Sequence, residues 1–180
     1  MTDRKKTNII IEKINPGRTG DFYAAVVESG NAWFAEGMLP KPNLTAEELE
    51  ALVKSLVDLW EQDDFYMFYI IDNASGEIAG VTFLNHVSRM YQMANLGYAV
   101  RTNRTREGIA TEAAKLAARY GFENLGLQRI EIVVNKDNLP SLKVAEKVGA
   151  VREGLLRNRL QLHGSPRDAY MHSLIPTDLL

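Results

Sequence analysis

Residues 101–111 read RTNRTREGIAT, and the way this stretch joins its neighbours decides the fold. Before it, Gln92–Arg101 has few charges and reads as a strand. After it, Gly108–Asn124 places Ile109, Ala113, Leu116, Ala117 and Tyr120 on one stripe, with Gly126 at the end. That is the spacing of a helix with one buried face and a glycine stop. The stretch is therefore a strand-to-helix junction. The first turn of a helix offers unpaired N–H groups and a partial positive charge, which attract phosphate. Gly108 lets a phosphate approach the backbone closely, and Arg101, Arg104 and Arg106 add positive charge. Read alone, the stretch fits an ordinary solvated connection equally well. The dinucleotide and P-loop forms of phosphate loop do not apply, because neither G-x-G-x-x-G nor G-x-x-x-x-G-K-[ST] is present.

Working outward, residues 8–14 (NIIIEKI) are β-branched and stop at Asn15-Pro16-Gly17, the pattern of a strand and turn. Residues 19–36 have mixed apolar spacing and predict one or two short helices. Thr45-Ala46-Glu47-Glu48 has the form of a capping box. Leu49, Leu52, Val53, Leu56, Leu59 and Trp60 then recur at helical spacing. Glu47, Glu48 and Glu50 read as solvated charges at a helix start that could also attract a cationic N-terminus. Phe65–Asp72, Ile78–Val87 and Gln92–Arg101 predict an antiparallel meander, with turns at Asn73–Gly76 and Ser88–Tyr91. Beyond the junction helix, RIEIVV at 129–134 is a strand. Asn138-Leu139-Pro140-Ser141 opens a helix, since proline is tolerated in a first turn. Its buried stripe is Leu142, Ala145 and Val148, and Gly149 stops it. Ala150–Leu162 and Ala169–Ile175 read as strands joined by His163-Gly164-Ser165-Pro166. The whole predicts one α/β domain over residues 1–180 with a mixed sheet.

Composition narrows the function. Apolar residues make up 46% and charged residues 24% of the 180, ordinary for a soluble globular chain. No run of about 18 apolar residues occurs, so no membrane association is expected. The start, MTDRKKTNIII, has too short an apolar part for a signal-peptide core, and a cytoplasmic protein is expected. A net charge of −2 argues against direct nucleic-acid binding. With no cysteine there is no disulfide, thiolate metal site or cysteine nucleophile. His86, His163 and His172 lack ligand spacing, so no metal is expected. Trp33, Trp60, Phe65 and Tyr69 read as core or cleft walls.

Several pieces occur in a fixed order: Gly97-Tyr98, Gly108-Ile109-Ala110-Thr111-Glu112-Ala113, Arg129-Ile130, Asn138 with Ser141, and Glu146-Lys147-Val148-Gly149. From Leu96 to about Arg157 the chain resembles the GCN5-related N-acetyltransferases (GNAT), and among them the Rim-type enzymes that acetylate ribosomal-protein N-termini. The resemblance implies a single GNAT-like domain: a mixed, mostly antiparallel sheet flanked by helices, with its central strands splayed. It also implies acetyl-CoA as co-substrate, with its pyrophosphate on the backbone of a Q/R-x-x-G-x-G/A loop. Here that window is Thr105-Arg106-Glu107-Gly108-Ile109-Ala110, and Thr111 continues it. Gly108 and Ala110 match, Thr105 departs, and Arg104 or Arg106 is expected to supply the missing side chain. Backbone donors at Ala99, Val100 and Arg101 are expected to hold the pantetheine and thioester oxygen. Ser141 matches the position from which Rim-type enzymes donate to the leaving sulfur; the alternative is a plain helix cap. Asn138 bonds either the pantetheine or its own turn. A homodimer is left open.

The reaction so implied is direct attack of an amine on the thioester, with no covalent enzyme intermediate. Related enzymes often carry Glu two residues before the Gly-Tyr pair, as general base. Here that position is Asn95, and an amide takes no proton at neutral pH. A water relay, another base or lost activity are the three readings of that exchange. His86, Glu131 and Asp168 are the candidate bases. Without a strong base, an α-amine (reference pKa about 7.7–8.0) is favoured over lysine (about 10.4). The leading expectation is transfer of acetyl to a protein N-terminal amine. The alternatives are a small-amine or antibiotic acetyltransferase, and a non-catalytic acyl-CoA-binding protein.

Overall fold

A computed structural model describes residues 7–179 of the chain; the charged start at 1–6 and Leu180 lie outside the described residues. The β-branched and aromatic runs become strands β1 (Ile9–Lys13), β2 (Tyr66–Asp72), β3 (Ile78–Ser88), β4 (Met93–Val100), β5 (Arg129–Asn135), β6 (Val151–Leu162) and β7 (Ser165–Leu174). They form one sheet in the order β1-β2-β3-β4-β5-β7-β6. Every neighbouring pair is antiparallel except β4 with β5. The helices are α1 (Thr19–Ala35), α2 (Ala46–Glu61), α3 (Ile109–Leu125) and α4 (Leu139–Val148).

Side chains alternate across the strands, and each face has its own helices. Met67, Tyr69, Ile71 and Val81 pack with Phe22, Val26 and Trp33 of α1 and Leu49 and Val53 of α2. Leu84, Leu96, Ile130 and Ile132 pack on the other face with Ala114, Ala117 and Ala118 of α3 and Ala145 and Val148 of α4. Both faces of β2 are thus covered, which is why its sequence is an unbroken apolar run. The alanine stripe of α3 lets that helix lie close to the sheet, beside the junction at its N-terminus.

Residues 19–35 form a single helix, not two short ones. The spacing looked mixed because its buried face includes Ser29 and Gly30, and the backbone of Pro42 lies against Gly30 where a side chain would stand. The β6–β7 connection is also tighter than expected. His163 and Gly164 alone make the turn, with φ of 51° and 75°, the left-handed pair of a two-residue hairpin. Ser165 and Pro166 already belong to β7. Proline is tolerated there because β5 reaches only to Ala169, so these residues pair with β6 alone.

β4 and β5 pair at only three positions: Met93 with Arg129, Ala94 with Ile130, and Asn95 with Glu131. Beyond Asn95, β4 runs on to Val100 and β5 to Asn135 with no pairing between them. The sheet is therefore forked at its centre, and the junction, α3 and α4 surround the open end.

Candidate active site

The junction is sharply bent. Arg106 and Gly108 both have positive φ, 68° and 85°, a geometry that turns successive N–H groups toward one side. No side chain caps α3, whereas Thr45 and Glu48 cap α2 and Asn138 caps α4. The first helical bond runs from the Glu112 N–H to Gly108 O. The N–H groups of Ile109, Ala110 and Thr111 therefore have no intrahelical partner. Around this mouth the charges are sorted. Arg104 bonds Glu107 and Asp72, and its guanidinium holds the Asp72 carboxyl below the usual range. Arg101 bonds Glu28 of α1, which also receives the Asn103 N–H. Neither arginine, nor the Glu107 carboxylate, is free for a ligand. Among the arginines of the stretch, Arg106 alone has no ion pair among the described residues. Thr7 donates to Glu107 O at 2.8 Å and lies 3.0 Å from where a Cβ on Gly108 would stand.

In the fork, the Arg101 N–H donates to Ala79 O on the β3 side. Backbone direction alternates along a strand, so the Ala99 N–H also faces β3, and Val100 faces the gap. The expectation that Ala99, Val100 and Arg101 all donate into the gap is corrected to Val100. Its carbonyl receives the Trp33 indole N–H at 3.1 Å, which fixes this edge of the gap.

Asn138 and Ser141 lie on the opposite wall. The Asn138 Oδ1 accepts from the Ser141 N–H at 3.1 Å, and its Nδ2 donates to Glu36 at 2.7 Å. Both ends of the amide are engaged, so Asn138 orients Ser141 and anchors α4 to the end of α1. The Ser141 hydroxyl lies 3.0 Å from the Tyr98 hydroxyl, which is also 3.1 Å from Ser141 O. Sequence reasoning gave Tyr98 no place beside Ser141, although Gly97-Tyr98 stood among the family pieces. Burial pushes its pKa up to about 12, the Ser141 bond opposing, so the phenol keeps its proton at neutral pH. The pair bridges β4 and α4 across the gap.

At the root of the fork, Asn95 donates from Nδ2 to Asn85 Oδ1 at 2.8 Å, and its Oδ1 is buried without a partner. The three candidate bases separate by place. His86 is exposed on the β3 bulge with a φ of 52°. Asp168 lies past the end of β5, accepting from the Asn158 N–H and Lys136, and the former bond chiefly holds its pKa below the usual range. Glu131 alone stands at the fork, in register with Asn95, and its carboxylate is bonded to Arg129 at 3.0 Å. Glu48 is tied to its capping box and to Lys41, and Glu50 to Lys54, so neither is free to attract a substrate. Among the described residues no group of His, Cys, Asp or Glu could hold a metal ion, and no helix is long and apolar enough to cross a membrane.

The forked centre of the sheet is the splay that the family resemblance implied. The acetyltransferase (GNAT) domain family matches residues 9–151. The chain belongs to the GNAT family. It is an N-acetyltransferase that draws on acetyl-CoA. Similar proteins include the uncharacterized N-acetyltransferase p20 of Bacillus licheniformis, 31% identical over 134 residues, covering 74% of this chain and 75% of that protein. Spermidine N(1)-acetyltransferase of Escherichia coli (strain K12) is 30% identical over 126 residues, 68% of this chain and 67% of that protein. Among solved structures, a putative ribosomal-protein-serine acetyltransferase from Vibrio cholerae superposes with a TM-score of 0.79 at 25% identity, covering 95% of each chain. RimL, a ribosomal L7/L12 α-N-protein acetyltransferase in complex with coenzyme A, shares the fold at TM-score 0.84 and 20% identity, over 94% of this chain and 95% of that one.

Proposed function

We propose that this GNAT enzyme acetylates a protein N-terminal α-amine. The observation that carries the reading is the amide of Asn95 at the root of the fork. An amide cannot remove a proton, so the site receives its amine already neutral. Near pH 7.5, neutralising an α-amine costs well under 1 kcal/mol, and neutralising a lysine about 4 kcal/mol, at about 1.4 kcal/mol per pKa unit. The α-amine is favoured accordingly.

In this reading the N–H groups of Arg106–Thr111 and the Arg106 side chain hold the pyrophosphate of acetyl-CoA. Val100 bounds the pantetheine on the β4 side. The amine attacks the thioester carbon; the C–N bond forms, the C–S bond breaks, and the proton lost by nitrogen ends on sulfur. Ser141 donates a hydrogen bond to the sulfur as its charge develops, an interaction strongest in the transition state. Tyr98 stands behind it. When Tyr98 donates to the Ser141 oxygen instead of the Ser141 carbonyl, the serine proton is released toward the gap. Chained hydrogen bonds also polarise one another. Tyr98 keeps its own proton, because a phenol held up to about 12 does not yield it to a thiolate whose acid has a pKa of about 8.5.

One observation favours a second reading, a small polyamine as acceptor: the 30% identity with spermidine N(1)-acetyltransferase. Turnover of acetyl-CoA with N-terminal peptides, lysine peptides, spermidine and aminoglycosides separates the two. N-terminal peptides are expected to give the highest kcat/KM. Spermidine turning over faster than every peptide would replace this reading with the second.

A further inference from the structure

The β6–β7 hairpin gathers several arginines, unpaired among the described residues. Arg157, Arg159 and Arg167 are exposed and have no ion pair among the described residues, in a protein whose net charge is −2. Arg18, Arg89, Arg101, Arg104 and Arg129 are paired with carboxylates, Arg152 lies over the Tyr170 ring, and Arg106 and Arg119 stand singly elsewhere on the surface. Asp168 lies among them, and Arg157 is near enough to help the Asn158 N–H and Lys136 lower its pKa. Lys136 takes up Asp168, at 3.4 Å.

Arg157 and Arg159 border a hollow. Arg157, Asn158 and Arg159 line it with Leu155, Leu156 and Asp168; it is a shallow depression, open to solvent, of about 740 Å³. The shape comes from the β6 bulge between Leu156 and Leu160, where Asn158 has a φ of 52° and donates its N–H to Asp168 at 3.0 Å. The hollow adjoins the active site. Asp168 O accepts the Lys136 N–H, and Asn138, which orients Ser141, lies two residues further on. The hairpin tip reaches the other rim: the His163 ring packs at a tilt against Phe34, centroids 4.3 Å apart, and bonds Ala35 O at 3.3 Å. Glu36, the next residue, bonds Asn138.

From this placement we infer that the acceptor is an acidic polypeptide, whose carboxylates a few residues beyond the amine lie against Arg157 and Arg159. This rests on the reading of a protein N-terminus as acceptor. The exposed Leu155 gives the hollow an apolar patch for the methylenes of Asp and Glu side chains. A polycation is disfavoured there by like charge. Single-stranded RNA would need aromatic faces on which to stack its bases, and no aromatic residue lines the hollow.

The test compares two synthetic peptides with the same N-terminal residue, one acidic and one basic at the next five positions, with spermidine and a short RNA as further probes. The acidic peptide is expected to show a KM about tenfold lower than the basic one at low salt, the gap narrowing as salt screens the charges. The double variant Arg157→Glu with Arg159→Glu should reverse the preference through KM, with acetyl-CoA affinity held. Equal KM for both peptides, or a preference that survives the double variant, would overturn the acidic acceptor and leave the N-terminal reading standing. Turnover of spermidine with neither peptide accepted would overturn both. RNA that competes with the acidic peptide, and loses that competition in the double variant, would reassign the hollow to nucleic acid and overturn the proposal.

Discussion

Gly108 and Ser141 are where single atoms carry the account. Gly108 has a φ of 85°, and Thr7 Oγ1 lies 3.0 Å from where its Cβ would stand, so the phosphate mouth has no room for a β-branched residue. Gly108→Val is expected to weaken CoA binding at least about tenfold, roughly 1.4 kcal/mol. Calorimetry on a folded variant with unchanged affinity would remove the loop from the site. Ser141→Ala should lower kcat about three- to tenfold, the worth of one net hydrogen bond, with little change in acetyl-CoA affinity. Tyr98→Phe should do the same. If the two hydroxyls act in series, the double variant will lose less than the product of the single losses. Independent losses, or a loss seen only in acetyl-CoA affinity, would return the pair to a structural tie between β4 and α4. The place of Ser141 in the first turn of α4 was legible from the local pattern Asn138-Leu139-Pro140-Ser141. That of Tyr98 was not, because its partner is 43 residues away, beyond the reach of any local spacing rule.

At the scale of elements, β5 and β6 are joined through charge. Arg129 bonds Glu153 with both terminal nitrogens, at 2.8 and 2.6 Å, and Ser173 of β7 donates to the same carboxylate at 2.7 Å. Arg129 first, then Ser173, hold the Glu153 pKa down to about 2 from 4.5. A depressed carboxylate stabilises the fold above its unfolded pKa, and that contribution disappears as pH falls through the folded value. Glu153→Gln should therefore lower Tm at pH 7, and the gap to wild type should close as pH falls from about 4.5 toward 2. A gap that is constant across this range would mean that the carboxylate contributes no charge-dependent stability. Most element types followed from local signals: the β-branched runs, the capping box at Thr45 and the glycine stops. The fork did not. Gln92–Arg101 and RIEIVV read as strands, but where they part depends on which residues they face after a 17-residue helix, and no local pattern records it. The bond of Asn138 to its own turn was one of the two readings of the sequence; its bond to Glu36 was not legible, because Glu36 reaches it from a distant helix.

For the whole molecule, the claim is that a forked sheet holds acetyl-CoA between two walls and offers no strong base at its root. Asn85 and Asn95 bond each other there, and Glu131, beside them, is bonded to Arg129. The consequence is a pH dependence set by the substrate. The sequence showed the missing carboxylate directly, since Asn95 stands two residues before Gly97-Tyr98. It could not separate His86, Glu131 and Asp168, whose positions relative to the fork follow from strand pairing alone. The most direct measurement is a pH–rate profile on one N-terminal peptide and one lysine peptide, for wild type and Asn95→Glu. In the wild type, kcat/KM should rise with pH and level off near the pKa of the amine, about 8 for the N-terminal peptide. Asn95→Glu should move that limb to lower pH. A wild-type profile that levels off well below the pKa of both amines would contradict the account, and Glu131, the candidate at the fork, would then be the residue that takes the proton.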